Sequence, residues 1–302
     1  MTAPQPSQTR GLLYALGAHA FWGSMPLYLV LVRTVPSLEF VAWRLVFTLP
    51  LCLAMIAVAS AGAELRGVLR NRRAMATLLA SATMIAVNWF LYVWAIQHHY
   101  IYAASLGYYI LPLVMMLFGL VVFRERLSRL QMIAVVLAGI GVGALAAGAL
   151  TTLWVSLTLA VSFGIYGLLR KTVAAGALVG LTVESIILMP AALGIVLFYG
   201  TGESGGAMAQ GWPVALAVAF SGPMTAIPLT MFAASARILP YTLVGFLQFS
   251  SPTFIFVLGL TVFGEPLKPA QLACFVLIWI AVALFLWELL HGKRPAPPEA
   301  TG

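Results

Sequence analysis

Two charged side chains, Arg44 and Glu184, lie well inside long apolar runs and stand 140 residues apart. In hydrocarbon such a group costs about 2.5–3.5 kcal/mol on insertion scales, so its presence marks a substrate path, a proton relay or a buried partner. Counting ~1.5 Å per helical residue puts Arg44 ~10 Å below one membrane face and Glu184 ~9 Å above the other. A direct pair would have to close a depth gap of more than ~10 Å by tilt and side-chain reach, and is not expected. Arg44 has two readings: a guanidinium that snorkels to the headgroups over a buried stem, or a functional cation. Glu184 is too short to snorkel and reads as a coupling carboxylate able to take up and release a proton.

Uncharged polar groups lie nearer the midplane: His19, Trp22, Asn88, Tyr92, Tyr108, Tyr109, Tyr166 and Gln248. Singly, each can serve as hydrogen-bonding glue between helices. Together they fit an aromatic-lined cavity with a few polar contacts, the usual form of a small-molecule site. Trp22, Asn88, Tyr92, Tyr108, Tyr166, Gln248 and His19 are therefore the substrate-binding candidates. Tyr108 and Gln248 are also 140 apart, and each lies one turn from a proline, Pro112 or Pro252, that can loosen its helix. Catalysis finds little to work with. The chain has no Asp and no H-E-x-x-H, and His98 and His99 are adjacent, so they cannot share a helix face as ligands. Cys52 and Cys274 sit in apolar runs without ligand spacing, so no metal or cofactor is expected.

The elements that hold these residues follow from composition. Hydrophobic residues make up 62% of the 302 positions and charged residues 8%, where a soluble domain carries roughly a quarter charged. Charges, Pro and Gly cut the chain into ten runs of about membrane-crossing length: 11–32, 37–59, 74–96, 101–123, 130–149, 151–170, 178–200, 212–236, 240–263 and 269–290. Residues 1–10 and 291–302 read as short tails. With the N-terminus in the cytoplasm, thirteen of the sixteen Lys and Arg fall in cytoplasmic segments, Arg33 and Lys268 fall outside, and Arg44 lies within a helix. That bias places both termini inside. The net charge of +8 is thus topological, and nucleic acid is not an expected partner.

Shifted by 140 residues, the chain aligns with itself: Pro112, Gly119, Leu120, Val122, Phe123, Glu125, Leu127 and Gln131 meet Pro252, Gly259, Leu260, Val262, Phe263, Glu265, Leu267 and Gln271. The fold class expected is an all-α integral membrane protein whose ten transmembrane helices form two inverted five-helix repeats, 11–149 and 150–290. An odd number of crossings per repeat turns the second copy upside down. The loop that carries Arg124, Arg126 and Arg129 in the first copy carries Gly264, Pro266 and Pro269 in the second, as opposite sides of a membrane would require. Glu125 and Glu265 read as structural stops at the ends of the fourth and ninth helices. Gly139, Gly141, Gly143, Ala147 and Gly148 offer a small-residue face for close packing, within a monomer or a homodimer.

Such symmetry suits alternating access, with a site near the midplane between the repeats. No G-x-x-x-x-G-K-[ST] loop is present, so an existing gradient would drive movement. A secondary transporter of a small organic solute is the expectation. A channel or a lipid-linked-group flippase of the same topology remains open.

Phe21-Trp22-Gly23, the run Asn88 to Val114 (NWFLYVWAIQHHYIYAASLGYYILPLV), Phe163 to Lys171 (FGIYGLLRK), Glu184 and Gly264-Glu265 resemble the drug/metabolite transporter superfamily, in the RarD type of its EamA branch. The resemblance spans about 11–290 and implies a ten-helix permease of the inner membrane, without a prosthetic group, working as an exporter. Two departures stand out. Family members often carry His-Arg where this chain has Trp43-Arg44, and Gly-Glu-Arg where it has Arg124-Glu125-Arg126, so no histidine is available at position 43.

Overall fold

The computed structural model describes residues 8–98, 100–148, 150–202, 205–264 and 269–291. Among these every regular element is helical: α1 (Gln8–Leu29), α2 (Ser37–Val58), α3 (Gly62–Arg70), α4 (Arg72–Gln97), α5 (Ile101–Val121), α6 (Arg129–Ala147), α7 (Leu153–Thr172), α8 (Ala177–Gly200), α9 (Trp212–Ile238), α10 (Tyr241–Leu247), α11 (Ser250–Thr261) and α12 (Pro269–His291). Ten stretches are long and apolar enough to cross a bilayer. Helices satisfy their own backbone groups, the condition hydrocarbon imposes on any spanning segment. The expected ten spans are therefore present. One helix was not expected: α3, nine residues of the connection after α2, too short and too arginine-rich to register as a span.

The chain divides into two compact units. The larger contains α1–α5 and α7–α11. Within it α2 packs on α8, α1 on α9, α4 on α7, α5 on α7 and α10, and α1 on α11. Exchanging the first five spans with the last five turns each of these pairings into one on the same list, with α5 against α10 returning itself. The contact between α1 and α9 becomes that between α7 and α4, and α1 against α11 becomes α7 against α5. The pairing of α2 with α8 maps onto itself. The smaller unit is α6 packed against α12. Here the small-residue face proves selective. A side chain at Gly141 would meet the Cys274 carbonyl at 3.2 Å, whereas Gly139 and Gly143 have nothing within 4 Å.

The two prolines that face each other across the 140-residue shift act differently. α5 runs continuously through Pro112. The ninth span breaks at Gln248 and Phe249 into α10 and α11. Pro252 has no N–H for the Gln248 carbonyl four residues back, and its ring crowds that carbonyl. The Ser251 amide takes the carbonyl instead, at 3.2 Å, in the tighter one-turn pattern.

Candidate functional site

A cavity of about 430 Å³ lies in the larger unit. Each wall is a helical stripe with i, i+3, i+4 spacing, the spacing that puts side chains on one face. α1 contributes Trp22, Met25, Pro26 and Leu29; α2 contributes Ser37, Phe40, Val41 and Arg44; α4 contributes Asn88, Trp89, Tyr92 and Val93. Tyr108 of α5, Phe163 of α7, Leu229 of α9, and Gln248 and Pro252 at the broken ninth span complete it. The stripes run toward the end of the bundle that carries the 33–36 connection, where exposed Arg33 stands on the wall.

Six of the candidates thus share one cavity: Trp22, Arg44, Asn88, Tyr92, Tyr108 and Gln248. Asn88 is held by its side-chain nitrogen, which donates to the Leu159 carbonyl at 2.8 Å and the Ser162 hydroxyl at 3.1 Å, tying α4 to α7. Tyr92 and Tyr108 meet edge to face, with ring centroids 5.9 Å apart. The Gln248 side chain is 3% exposed, and its Oε1 has no hydrogen-bond partner.

His19, Tyr166 and Glu184 lie outside the lining, and the expectation that His19 and Tyr166 line the cavity is corrected. His19 continues the α1 stripe one turn deeper than Trp22, and Tyr166 stands one turn beyond Phe163 on α7. Both are therefore behind the aromatic floor rather than on it. The His19 ring centroid is 5.6 Å from that of Trp22, and Tyr166 lies 5.5 Å from Phe163. Both are fully buried. Tyr109, one position round the helix from Tyr108, is also outside the lining.

Arg44 does not reach for headgroups. Its Nε donates to the Thr225 hydroxyl at 2.9 Å, and its guanidinium carbon stands 5.0 Å from the centre of the Trp89 ring. Glu184 has a different partner from Arg44: Arg170, with Nη1 to Oε1 at 3.6 Å, both side chains almost fully buried. The Ser81 hydroxyl donates to the same carboxylate oxygen, and Arg170 Nη2 donates to the Ala177 carbonyl at 2.6 Å. Arg44 and Glu184 are thus held by different partners, Thr225 and Arg170.

The other end of the larger unit is closed by charged groups that cap helix termini. The Lys171 ammonium donates to the Ala236 and Leu239 carbonyls at 2.7 and 2.6 Å. Arg237 donates to the Val173 and Ala175 carbonyls at 2.8 and 2.6 Å. Glu125 accepts from the amides of Tyr241 and Thr242 at 2.6 and 2.8 Å, so it caps the start of α10 as well as following the end of α5. Its reading as a stop alone is corrected; Glu265 lies outside the described residues. Glu64 accepts from the Gly176 amide at 2.6 Å ahead of α8. At the opposite end, beside the 33–36 connection, buried Glu39 accepts from the Ala207 amide at 2.6 Å and the Trp43 indole at 3.1 Å. Negative groups at helix starts and positive ones at helix ends match the helix dipole.

Sequence reasoning missed Arg170, Lys171, Arg237 and Glu39 as structural groups. The first three end helices on the side where topology already wants basic residues, which hides any second task. Gly202 to Gly206 spells G-x-S-x-G, which needs a strand feeding a helix to become a nucleophile elbow. It follows α8, no strand occurs among the described residues, and Ser204 lies outside them.

Comparison with known proteins finds relatives along almost the whole chain. The EamA-like transporter family matches over residues 9–147. An uncharacterized transporter of Pseudomonas aeruginosa is 38% identical over 288 residues, covering 95% of this chain and 97% of its own. The protein RarD of Streptomyces exfoliatus is 39% identical over 288 residues, covering 95% and 91%. An uncharacterized transporter of Bacillus subtilis is 37% identical over 292 residues, covering 94% and 96%. A crystal structure of another protein superposes with a TM-score of 0.75 at 19% identity, covering 95% of this chain and 100% of that one, a likeness of fold alone.

Proposed function

The chain belongs to the EamA-like transporter family, among its RarD-type permeases, and is a membrane transporter rather than an enzyme; we propose that it is a secondary carrier moving a small organic solute by alternating access. One observation carries this reading. The cavity reaches one end of an eight-span bundle, at Val32, Arg33 and Val35, while the other end carries reciprocal caps, and the largest helix pairings of that bundle map onto one another when the two halves exchange places. A bundle with that property has a second packing available, in which the roles of the two ends are swapped. With the tails in the cytoplasm of a cell whose inner membrane it spans, the open mouth faces outward and the capped end faces the cytoplasm. Outward movement of solute, export, is the direction the resemblance favours.

Reconstitution in proteoliposomes tests the proposal. A carrier shows saturable uptake and accelerated exchange when the far side is preloaded, and Trp22→Ala abolishes both while membrane levels hold. Flux that never saturates and shows no exchange replaces the carrier reading with a channel.

A further inference from the structure

Resting on the carrier reading, we propose that the solute is an organic monocarboxylate, with its charge received end-on by Arg44.

The geometry of Arg44 leaves little else for it to do. Its Nε is committed to Thr225 at 2.9 Å, and its face lies against Trp89. The two terminal nitrogens have no hydrogen-bond acceptor among the described residues and stand on the cavity wall. A planar fork of two N–H groups at that spacing matches the two oxygens of a carboxylate. Because Nε is taken, the side-on approach is closed and the end-on approach remains.

No acidic partner competes. The cavity lining contains neither Asp nor Glu among the described residues, and the chain has no Asp at all. In the same unit Glu39 holds Ala207 and Trp43, Glu64 holds Gly176, Glu125 holds Tyr241 and Thr242, and Glu184 holds Arg170 and Ser81. Each of these carboxylates is engaged away from the cavity lining, although Glu39 Oε2 is buried without a partner. A cationic solute would bring a second positive charge into a low-dielectric chamber with nothing to balance it. A single deep arginine matches a single negative charge, and Arg33 at the mouth adds attraction on the way in.

The rest of the solute is described by the remaining wall. Trp22, Phe163 and Tyr92 offer aromatic faces, and aliphatic Met25, Leu29 and Leu229 line the space between them. The cavity falls within the ~300–1,000 Å³ range of small-molecule sites.

Phenylacetate, phenylacetamide and phenethylamine form a matched set of acid, neutral and cation. Calorimetric titration of the protein in lipid nanodiscs should find the acid bound at least about tenfold tighter than the amide, the scale of a charge-assisted hydrogen bond. The amine should bind weakest. Arg44→Gln should erase the preference and leave amide affinity in place. Arg44→Lys should keep part of it, since an ammonium supplies charge without the fork. If Arg44→Gln does not fold, the wild-type ranking and the Lys variant decide. An amide or amine bound as tightly as the acid, or no member of the set bound, overturns the inference. Arg44-dependent binding of the acid without flux in proteoliposomes upholds it and sinks the carrier reading instead. Saturable flux of the amine or amide without the acid does the reverse.

Discussion

Lys171 and Arg237 cap each other's helices. The ammonium at the end of α7 holds the last carbonyls of α9, and the guanidinium at the end of α9 holds the carbonyls just past α7. A helix end leaves four carbonyls without partners, and here each end borrows its donor from the other. The two spans are thereby locked at one junction.

That junction should behave as a unit. Lys171→Met and Arg237→Met should each lower stability by about 1 kcal/mol at these part-exposed positions, read as a lower midpoint of thermal unfolding in detergent. The double variant should cost less than the two combined, because the second loss falls on an end already released. Strict additivity would show the two caps to be independent.

The Glu125 cap predicts a different pattern. Glu125→Ala removes the acceptor for two amides at the start of α10 and should destabilise by about 1–2 kcal/mol. Gly119→Ala should mimic it without removing the carboxylate, by wedging it away from its amides, since a side chain there would stand 2.7 Å from Glu125 Oε2 and 2.8 Å from the Thr242 amide. Thermal unfolding of the two variants and their double settles it: the double should be little worse than either alone.

The buried pair of Arg170 and Glu184 should be costly to halve. Arg170→Met leaves Glu184 charged or forces it to bind a proton in a fully enclosed site, with a loss of about 3–5 kcal/mol. Arg170→Met combined with Glu184→Met should recover most of that loss. A double variant as unstable as the single would show that Glu184 has no need of Arg170.

Pro252→Ala should mend the ninth span. The new amide gives the Gln248 carbonyl its ordinary helical donor, so backbone amides near Gln248 should exchange with solvent more slowly. Because the break sets where Gln248 stands on the cavity wall, substrate turnover should fall although the protein becomes more stable. Unchanged turnover would show that the break is incidental.

Much of this was legible in the sequence because hydrocarbon is an unforgiving solvent. It demands apolar runs of about twenty residues, and ten are there. The stripes were legible as well: Trp22 with Met25 and Pro26, or Phe40 with Arg44, carry the spacing of one helix face. Depth along a stripe was not. His19 obeys the same spacing as Trp22 yet ends one turn below the cavity, and nothing in the residue types marks that step. Glu39 and Arg170 were hidden for another reason. A charge near a helix end looks the same whether it faces water, headgroups or a neighbour's backbone, and only the packing of a distant segment, Ala207 or Glu184, tells them apart.

The 140-residue correspondence finally sets Arg44 opposite Glu184, a cation that faces the chamber against an anion already neutralised. A faithfully duplicated carrier would greet its cargo identically from either compartment. On the carrier reading proposed above the chain is lopsided, so half-saturation should differ between the two sides of the membrane. Detailed balance still forbids the asymmetry from moving the final concentration ratio; it tunes only which leg of the cycle runs fast.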